Sequence, residues 1–222
     1  MVFFGGTFDP VHLGHVEMAR AALAELNLER LIVLPAGNPY QRGRTPFASP
    51  EHRVEMLRLA FSSDANISID ERELVRNKTR EGPTYTFDTL TEMRSLHGPD
   101  VPFVWLIGSD AFAKLDTWHQ WQGLLLLTNF AVIMRGGVES VVGMSAELAA
   151  EIAPRKLNLG SPLPASGGWI PLKTSPPPIS STAVRAAIAH HESIRAMVPA
   201  SVCDYIDQYN LYQSTPSGSI KT

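Results

Sequence analysis

Short apolar runs alternate along the chain with longer segments that have apolar residues on one face of a helix. The apolar runs predict strands at residues 2–4, 31–34, 67–69, 103–107, 130–134 and 169–172. The periodic segments predict helices at residues 15–26, from Ser49 onward, and at 86–96, 182–189 and 199–209. Alternating strands and helices indicate βαβ units, and therefore a mostly parallel sheet with helices on both faces. We expect an α/β fold of the Rossmann-like, doubly wound type.

The pattern changes after about residue 150. Seven prolines lie between Pro154 and Pro178, which predicts loop structure interrupted by the strand at 169–172. The last two helices form a small C-terminal helical extension, and the polar residues 214–222 are expected to be a flexible tail. We interpret residues 1–213 as a single domain, with a core over about 1–150 and a helical part over about 179–213.

Composition narrows the class of protein. Of the 222 residues, 44% are apolar and 18% are charged, which is typical of a globular chain and excludes a disordered one. The net charge of −3 at pH 7 gives no basic surface for nucleic acid. The longest apolar stretch, residues 123–134, is too short to span a membrane, and the N-terminus lacks a signal-peptide pattern. The single cysteine, Cys203, allows neither an internal disulfide nor a cysteine-rich metal site, so we expect a cytoplasmic protein.

Three motifs follow predicted strand ends or open a predicted helix, which are positions where α/β proteins bind anions. The first is Gly-Gly-Thr-Phe-Asp-Pro-Val-His-Leu-Gly-His at residues 5–15. Its glycines let backbone N–H groups approach an anion, and His12 and His15 bracket a helix start near residue 14 or 15. The second is Ile-Gly-Ser-Asp at 107–110. The third, at 179–185, offers Ser180 and Ser181 as helix caps and Arg185 as a phosphate ligand.

Each motif also has a plainer interpretation. The first motif also fits a glycine-rich turn with two surface histidines. The second motif also fits a helix that is capped by Asp110, and the third fits an ordinary capped helix with a solvated Arg185. The three motifs together favour a catalytic site over these plainer interpretations. The chain offers several candidate anion sites but neither a Walker lysine loop nor a Ser-His-Asp order, and this combination suits phosphoryl or nucleotidyl transfer.

The motifs resemble those of a known enzyme superfamily. His12-Leu13-Gly14-His15 is similar to the (H/T)xGH signature of the nucleotidylyltransferases, and residues 179–185 resemble their C-terminal ISSTxxR motif. The segments Asp-Glu-Arg-Glu-Leu-Val-Arg at 70–76, Thr-Tyr-Thr-Phe-Asp-Thr-Leu at 84–90, and 108–118 resemble, more narrowly, bacterial nicotinate-nucleotide adenylyltransferases. The resemblance extends from residue 3 to about residue 212.

The resemblance implies transfer of the adenylyl group of ATP to nicotinate mononucleotide, with Mg²⁺, to give nicotinate adenine dinucleotide and pyrophosphate in NAD biosynthesis. It implies catalytic roles for His12, His15 and Arg185. The ATP-binding residues that it implies are Gly5, Gly6, Thr7, Phe8, His12, His15, Gly108, Asp110, Ser180, Ser181 and Arg185. The implied substrate-binding residues are Asn38, Arg42, Thr84, Tyr85, Thr86 and Trp118, whose indole suits stacking on a pyridinium ring.

Two features depart from the family pattern. Gln41 stands where the substrate loop usually has histidine, although Arg42 keeps a positive charge there. The first strand is also shorter than usual, which fits a start site further upstream.

Several alternatives stay open. They are an adenylyltransferase for nicotinamide mononucleotide or phosphopantetheine, a cytidylyltransferase, a fragment of a class I aminoacyl-tRNA synthetase, and a nucleotide-binding regulator without activity. The synthetase is disfavoured because residues 180–185 contain no lysine, and the regulator because His12, His15 and Arg185 are all present.

Overall fold

The computed structural model describes residues 1–38, 45–79, 82–134 and 143–213. Its strands are β1 (Val2–Gly6), β2 (Leu31–Pro35), β3 (Ile67–Ile69), β4 (Val104–Gly108), β5 (Asn129–Ile133) and β6 (Trp169–Leu172). They form one sheet in the order β3-β2-β1-β4-β5-β6, and every neighbouring pair is parallel. The predicted strands and the predicted parallel sheet are confirmed.

The strands are apolar at successive positions because both faces of the sheet are covered. Along β1, Val2 and Phe4 belong to one hydrophobic cluster, and Phe3 between them belongs to the other. Along β4, Leu106 belongs to the first of these clusters and Trp105 to the second. Side chains alternate across a strand, so burial on both faces requires an unbroken apolar run.

Nine helices lie in the described part of the chain. They are α1 (Leu13–Glu25), α2 (Pro50–Ala60), α3 (Arg72–Thr79), α4 (Thr86–His97), α5 (Ser109–Phe112), α6 (Trp121–Leu127), α7 (Ala146–Ile152), α8 (Ser181–Ala189) and α9 (Ala200–Gln208). Short 3₁₀ turns follow at Leu115–Thr117 and Ala153–Arg155. Helices α1, α2, α8 and α9 contribute to the core on one face of the sheet, and α4 to α7 contribute to the core on the other. The doubly wound arrangement is therefore confirmed, and the C-terminal helices complete its first face.

Five of these helices, α1, α2, α4, α8 and α9, were predicted from periodicity. Ser49 caps α2, as its sequence predicts, by accepting a hydrogen bond from the backbone N–H of His52. The expectation that Asp110 caps a helix is wrong: Gly108 is the N-cap residue of α5, and Asp110 lies in its first turn. Among the residues described, no helix has the length and apolar character needed to cross a membrane.

Candidate active site

The sheet places a cavity at the carboxyl ends of β1 and β4, where the strand order reverses. Crossovers run from β1 towards β2 and β3 on one side, and from β4 towards β5 and β6 on the other. Such a reversal leaves an open crevice between neighbouring strand ends, which is the usual ligand site of open α/β sheets. The cavity has a volume of about 260 Å³. It brings together these predicted site residues: Gly5, Gly6, Thr7, His15, Thr84, Thr86, Gly108, Asp110 and Trp118.

His12 and His15 form a stacked pair at the start of α1. Helix α1 begins at Leu13, with His12 as its N-cap, so it starts slightly earlier than its sequence predicts. The two rings lie 3.7 Å apart between centroids, and the His12 ring is buried behind that of His15. The backbone N–H of His12 donates a hydrogen bond to Nδ1 of His15 at 3.3 Å. Because Nδ1 is the acceptor, the ring proton of neutral His15 lies on Nε2.

Gly5 and Gly6 are required by aromatic packing. A Cβ atom on Gly5 would overlap the indole of Trp105, and one on Gly6 would lie 2.9 Å from Cζ of Phe8. The Phe8 ring, itself buried, contacts His15 edge-on with a centroid distance of 5.0 Å. The two glycines therefore leave room for the rings of Trp105 and Phe8 to pack against the end of β1, and the Phe8 ring in turn contacts His15.

Arg185 and Asp9 form a second polar group beside the histidines. Nη1 of Arg185 donates to the backbone oxygen of Asp9, and Nη2 donates to Oγ1 of Thr182 at 3.2 Å. The guanidinium lies 4.6 Å from the centre of the Phe47 ring. Helix α8 thus holds Arg185 against the backbone of the loop that carries His12.

The Asp9 carboxylate, which the sequence analysis did not single out, connects distant parts of the chain. It accepts hydrogen bonds from the backbone N–H groups of Phe47 at 2.8 Å and Ala48 at 3.0 Å. The hydroxyl of Tyr212 also donates to it, at 2.9 Å. Burial, together with the adjacent carboxylate, raises the pKa of Tyr212, which keeps the phenol protonated as a donor.

The two serines of the third motif have different structural roles. Ser180 caps α8, since its Oγ accepts the backbone N–H of Ala183 at 3.1 Å. Ser181 is not the cap but the first residue of the helix, and its hydroxyl donates to the backbone oxygen of Pro10 at 2.9 Å. The start of α8 is therefore joined to the loop after β1.

The predicted substrate residues that the structure describes differ in whether they line the cavity. The backbone N–H of Asn38 donates to Oγ1 of Thr84 at 3.3 Å, and the Thr84 N–H donates to the oxygen of Asn38 at 3.1 Å. Thr84, Thr86 and Trp118 line the cavity. Among the described residues, its lining includes neither Asn38 nor Tyr85, whose ring stacks on His119 at 4.1 Å. Arg42 and Gln41 lie outside the described residues.

Two buried charged residues lie near the site that the sequence did not identify as site residues. Arg53 of α2 is 1% exposed and donates through Nη1 to the backbone oxygens of Thr7 and Ala36, each at 2.9 Å. Burial lowers the pKa of Arg53. Glu73 of α3 lines the cavity, and burial raises the pKa of its carboxyl group. Glu73 lies within the motif at residues 70–76, which could have marked it as a site residue. No motif contains Arg53, so nothing in the sequence marked it.

The cavity contains few groups that could hold a metal ion. Within the described ranges, no three histidine, cysteine or acidic side chains come together as a metal site. Asp110 is the exposed carboxylate on the cavity, and Glu73 is the buried one. Mg²⁺ commonly binds through one or two carboxylates together with the phosphates of its nucleotide, and Asp110 suits that arrangement.

The chain is similar to known proteins over nearly its whole length. The sequence profile of the family described as cytidylyltransferase-like matches residues 3–187. A protein of Chromobacterium violaceum, described as a probable nicotinate-nucleotide adenylyltransferase, is 40% identical over 95% of this chain and 97% of its own length. A protein of Dechloromonas aromatica with the same description is 39% identical over 96% of this chain and 97% of its own length.

Solved structures share the fold at lower sequence identity. A structure of Plasmodium falciparum nicotinic acid mononucleotide adenylyltransferase complexed with NaAD matches with a TM-score of 0.70 and 20% identity. The match covers 95% of this chain and 96% of that one. The fold, the matched family and relatives that align over nearly the whole length agree, and so this chain belongs to the nicotinate-nucleotide adenylyltransferases of the cytidylyltransferase-like family.

Proposed function

We propose that this enzyme transfers the adenylyl group of ATP to nicotinate mononucleotide, which yields nicotinate adenine dinucleotide and pyrophosphate in NAD biosynthesis. The observation that supports this most directly is the composition of the cavity. It joins His15 and the loop after β1, which suit phosphate, to Thr84, Thr86 and Trp118, which suit a pyridine nucleotide. Both halves open into one space, as a reaction between two nucleotides requires.

The chemistry needs positioning more than proton transfer. A phosphate oxygen of the mononucleotide attacks the α-phosphorus of ATP and forms a new P–O bond. The bond from that phosphorus to the oxygen bridging to the β-phosphate breaks, and pyrophosphate leaves with the electron pair. The attacking oxygen is already anionic near neutral pH, so no general base is required. The protein must bring two polyanions together in line and stabilise the charge on the leaving group.

We propose that His15 stabilises that charge. Its Nδ1 accepts the backbone N–H of His12, so Nε2 is the atom that offers a proton to a phosphate oxygen. The start of α1 adds the positive end of the helix dipole. Arg185 offers a fixed positive charge beside the same loop. We propose His12, His15 and Arg185 as the residues that act on the ATP phosphates.

In this proposal, the part of the cavity lined by Thr84, Thr86 and Trp118 binds the mononucleotide. The half-buried indole of Trp118 offers a flat surface on which a pyridinium ring can stack. Thr84 and Thr86 offer hydroxyl and backbone groups to the remainder of that nucleotide. Asn38, Tyr85 and Arg42 stay predictions as direct contacts.

Mg²⁺ would enter with the ATP phosphates, and Asp110 is the residue that we propose to hold it. When bound, the ion neutralises charge on the phosphate oxygens and so assists departure of pyrophosphate. Asp9 is unsuited to this role because its carboxylate already accepts hydrogen bonds from Phe47, Ala48 and Tyr212.

A pyrophosphate-release assay tests the function. The enzyme is supplied with ATP and Mg²⁺ and with nicotinate mononucleotide, nicotinamide mononucleotide or phosphopantetheine in separate reactions. We expect the highest kcat/KM with nicotinate mononucleotide. A preference for phosphopantetheine, or no release with any acceptor, would overturn the proposal. The cytoplasmic location and the absence of a nucleic-acid partner stay predictions.

A further inference from the structure

Glu73 is a buried acidic residue that the reaction above does not use. It lies on α3 and is 6% exposed, yet it is part of the cavity wall. A carboxyl group in such a place is costly to bury, so its presence calls for a physical reason. Its contacts provide one.

The Glu73 carboxyl connects three segments of chain. Oγ1 of Thr89, in the first part of α4, donates to Oε1 of Glu73 at 2.9 Å. The hydroxyl of Thr84 and the backbone N–H of Gly37 also approach this carboxyl, and both oppose the rise of its pKa that burial causes. Thr84 and Thr89 are both buried, so these polar contacts are shielded from water. The carboxyl therefore fixes the start of α4, the 84–86 segment and the turn after β2 relative to α3.

Two residues of these segments, Thr84 and Thr86, line the cavity on the side assigned above to the mononucleotide. Thr84 is bonded to Asn38 through both its hydroxyl and its backbone N–H, and its hydroxyl also approaches the Glu73 carboxyl. The ATP side has other supports, since Phe8 and His12 hold His15. Loss of the Glu73 carboxyl would therefore disturb one half of the site and leave the other in place.

We propose that Glu73 is a positioning residue for the mononucleotide half of the site. It holds the 84–86 segment and the Gly37–Asn38 turn in the conformation that receives the pyridine nucleotide. It does not touch the reacting atoms. This inference rests on the function proposed above, because it assigns the second substrate to that half of the cavity.

Steady-state kinetics with each substrate varied separately tests this role. Replacing Glu73→Ala removes the acceptor of the Thr89 hydroxyl and the carboxyl that Thr84 and Gly37 approach. We expect the KM for nicotinate mononucleotide to rise about tenfold or more, which is the cost of roughly one buried hydrogen bond in the substrate complex. The KM for ATP should change by less than about twofold, since the supports of His15 are intact.

Glu73→Gln is a milder substitution that keeps the size of the side chain. It tests the proposal even if Glu73→Ala does not fold. Its amide oxygen can still accept from Thr89, but its amide nitrogen replaces a carboxylate oxygen with a donor. We expect a mononucleotide KM between those of the wild type and Glu73→Ala, with KM for ATP unchanged. If Glu73→Ala fails to fold by circular dichroism, Glu73→Gln alone decides, and an unchanged mononucleotide KM in it overturns the proposal.

Glu92→Gln is the matched control. Glu92 also joins α3 to α4, through ion pairs with Arg72 and Arg76, but its side chain is 45% exposed and outside the cavity. Its KM values should equal those of the wild type. A Glu73→Ala enzyme with both KM values raised alike, or with only a lower melting temperature, would show a merely structural residue. Wild-type protein inactive on nicotinate mononucleotide would instead refute the proposed function, so the two failures are distinct.

Discussion

The imidazole of His15 shows how neighbouring groups prepare a single side chain for its task. The backbone N–H of His12 occupies one ring nitrogen, the His12 ring stacks on one face, and the edge of Phe8 contacts the ring as well. A ring restrained in this way presents its other nitrogen, Nε2, in one direction. Preorganised donors of this kind stabilise developing charge without reorganising during the reaction.

Replacing His15→Ala should leave a folded protein with kcat lowered about 100-fold or more, as for loss of one oxyanion donor. The measurement is pyrophosphate release at saturating ATP and nicotinate mononucleotide, with circular dichroism to verify the fold. His52→Ala is a suitable control, because His52 contacts Tyr205 at 2.9 Å and does not line the cavity. Turnover close to that of the wild type in His15→Ala would contradict the role given to this ring.

At the scale of single residues, the sequence indicates which groups are available but not which neighbours hold them. His12, His15 and Arg185 could be selected because a motif contains them. Glu73 could not be assigned a role, since its partners Gly37, Thr84 and Thr89 are distant in the chain and meet only in the fold. Asp9 is a similar case, because Phe47 and Tyr212 reach it from separate segments.

Among the helices, the five longest were predicted from the sequence and the four shorter ones were not. Helix α4 has a clear apolar face that includes Leu90 and Met93, both buried. Helix α6, with the sequence Trp-Gln-Gly-Leu-Leu-Leu-Leu, is apolar on nearly all sides, so periodicity could not distinguish it from a strand. Helix α5 has four residues and is formed by the packing of Phe112 rather than by any local pattern.

The junction between α1 and the end of β6 depends on one carboxylate. Glu25, in the last turn of α1, accepts the backbone N–H of Lys173 at 2.7 Å and that of Thr174 at 2.9 Å. The hydroxyl of Thr174 donates to it as well, at 2.6 Å. Burial alone would raise the pKa of Glu25, but these donors outweigh it and the pKa is lowered from 4.5.

The lowered pKa predicts a pH-dependent contribution of Glu25 to stability. An acid whose pKa is lower in the folded state stabilises the fold above its unfolded pKa, and it loses this contribution as the pH falls through the folded value. The melting temperature of Glu25→Gln should therefore lie below that of the wild type at pH 7, and the gap should narrow as the pH falls below 4.5. Thermal unfolding followed by circular dichroism at several pH values measures the difference. A gap of constant size across this range would exclude ionisation of Glu25 as its cause.

On the scale of the whole molecule, the C-terminal helices are part of the core and do not stand apart from it. Val184 of α8 and Val202 and Ile206 of α9 belong to the same hydrophobic cluster as Val2 and Val104 of the sheet. The C-terminal part is also joined to the loop after β1, because Arg185 of α8 donates a hydrogen bond to the backbone of that loop. These contacts support the prediction that residues 1–213 form one domain, which the change of sequence pattern after residue 150 does not by itself establish.

One domain predicts a single unfolding transition, and the chain contains separate probes for its two halves. All four tryptophans belong to the cluster on one face of the sheet, whereas the only cysteine, Cys203, is buried in α9 on the other. Tryptophan fluorescence and labelling of the Cys203 thiol should give coincident midpoints in guanidinium chloride, because the sheet is common to both faces. A Cys203→Ala variant corrects for non-specific labelling. Thiol labelling at clearly lower denaturant than the fluorescence change would show that α9 unfolds independently and that the C-terminal part is a separate unit.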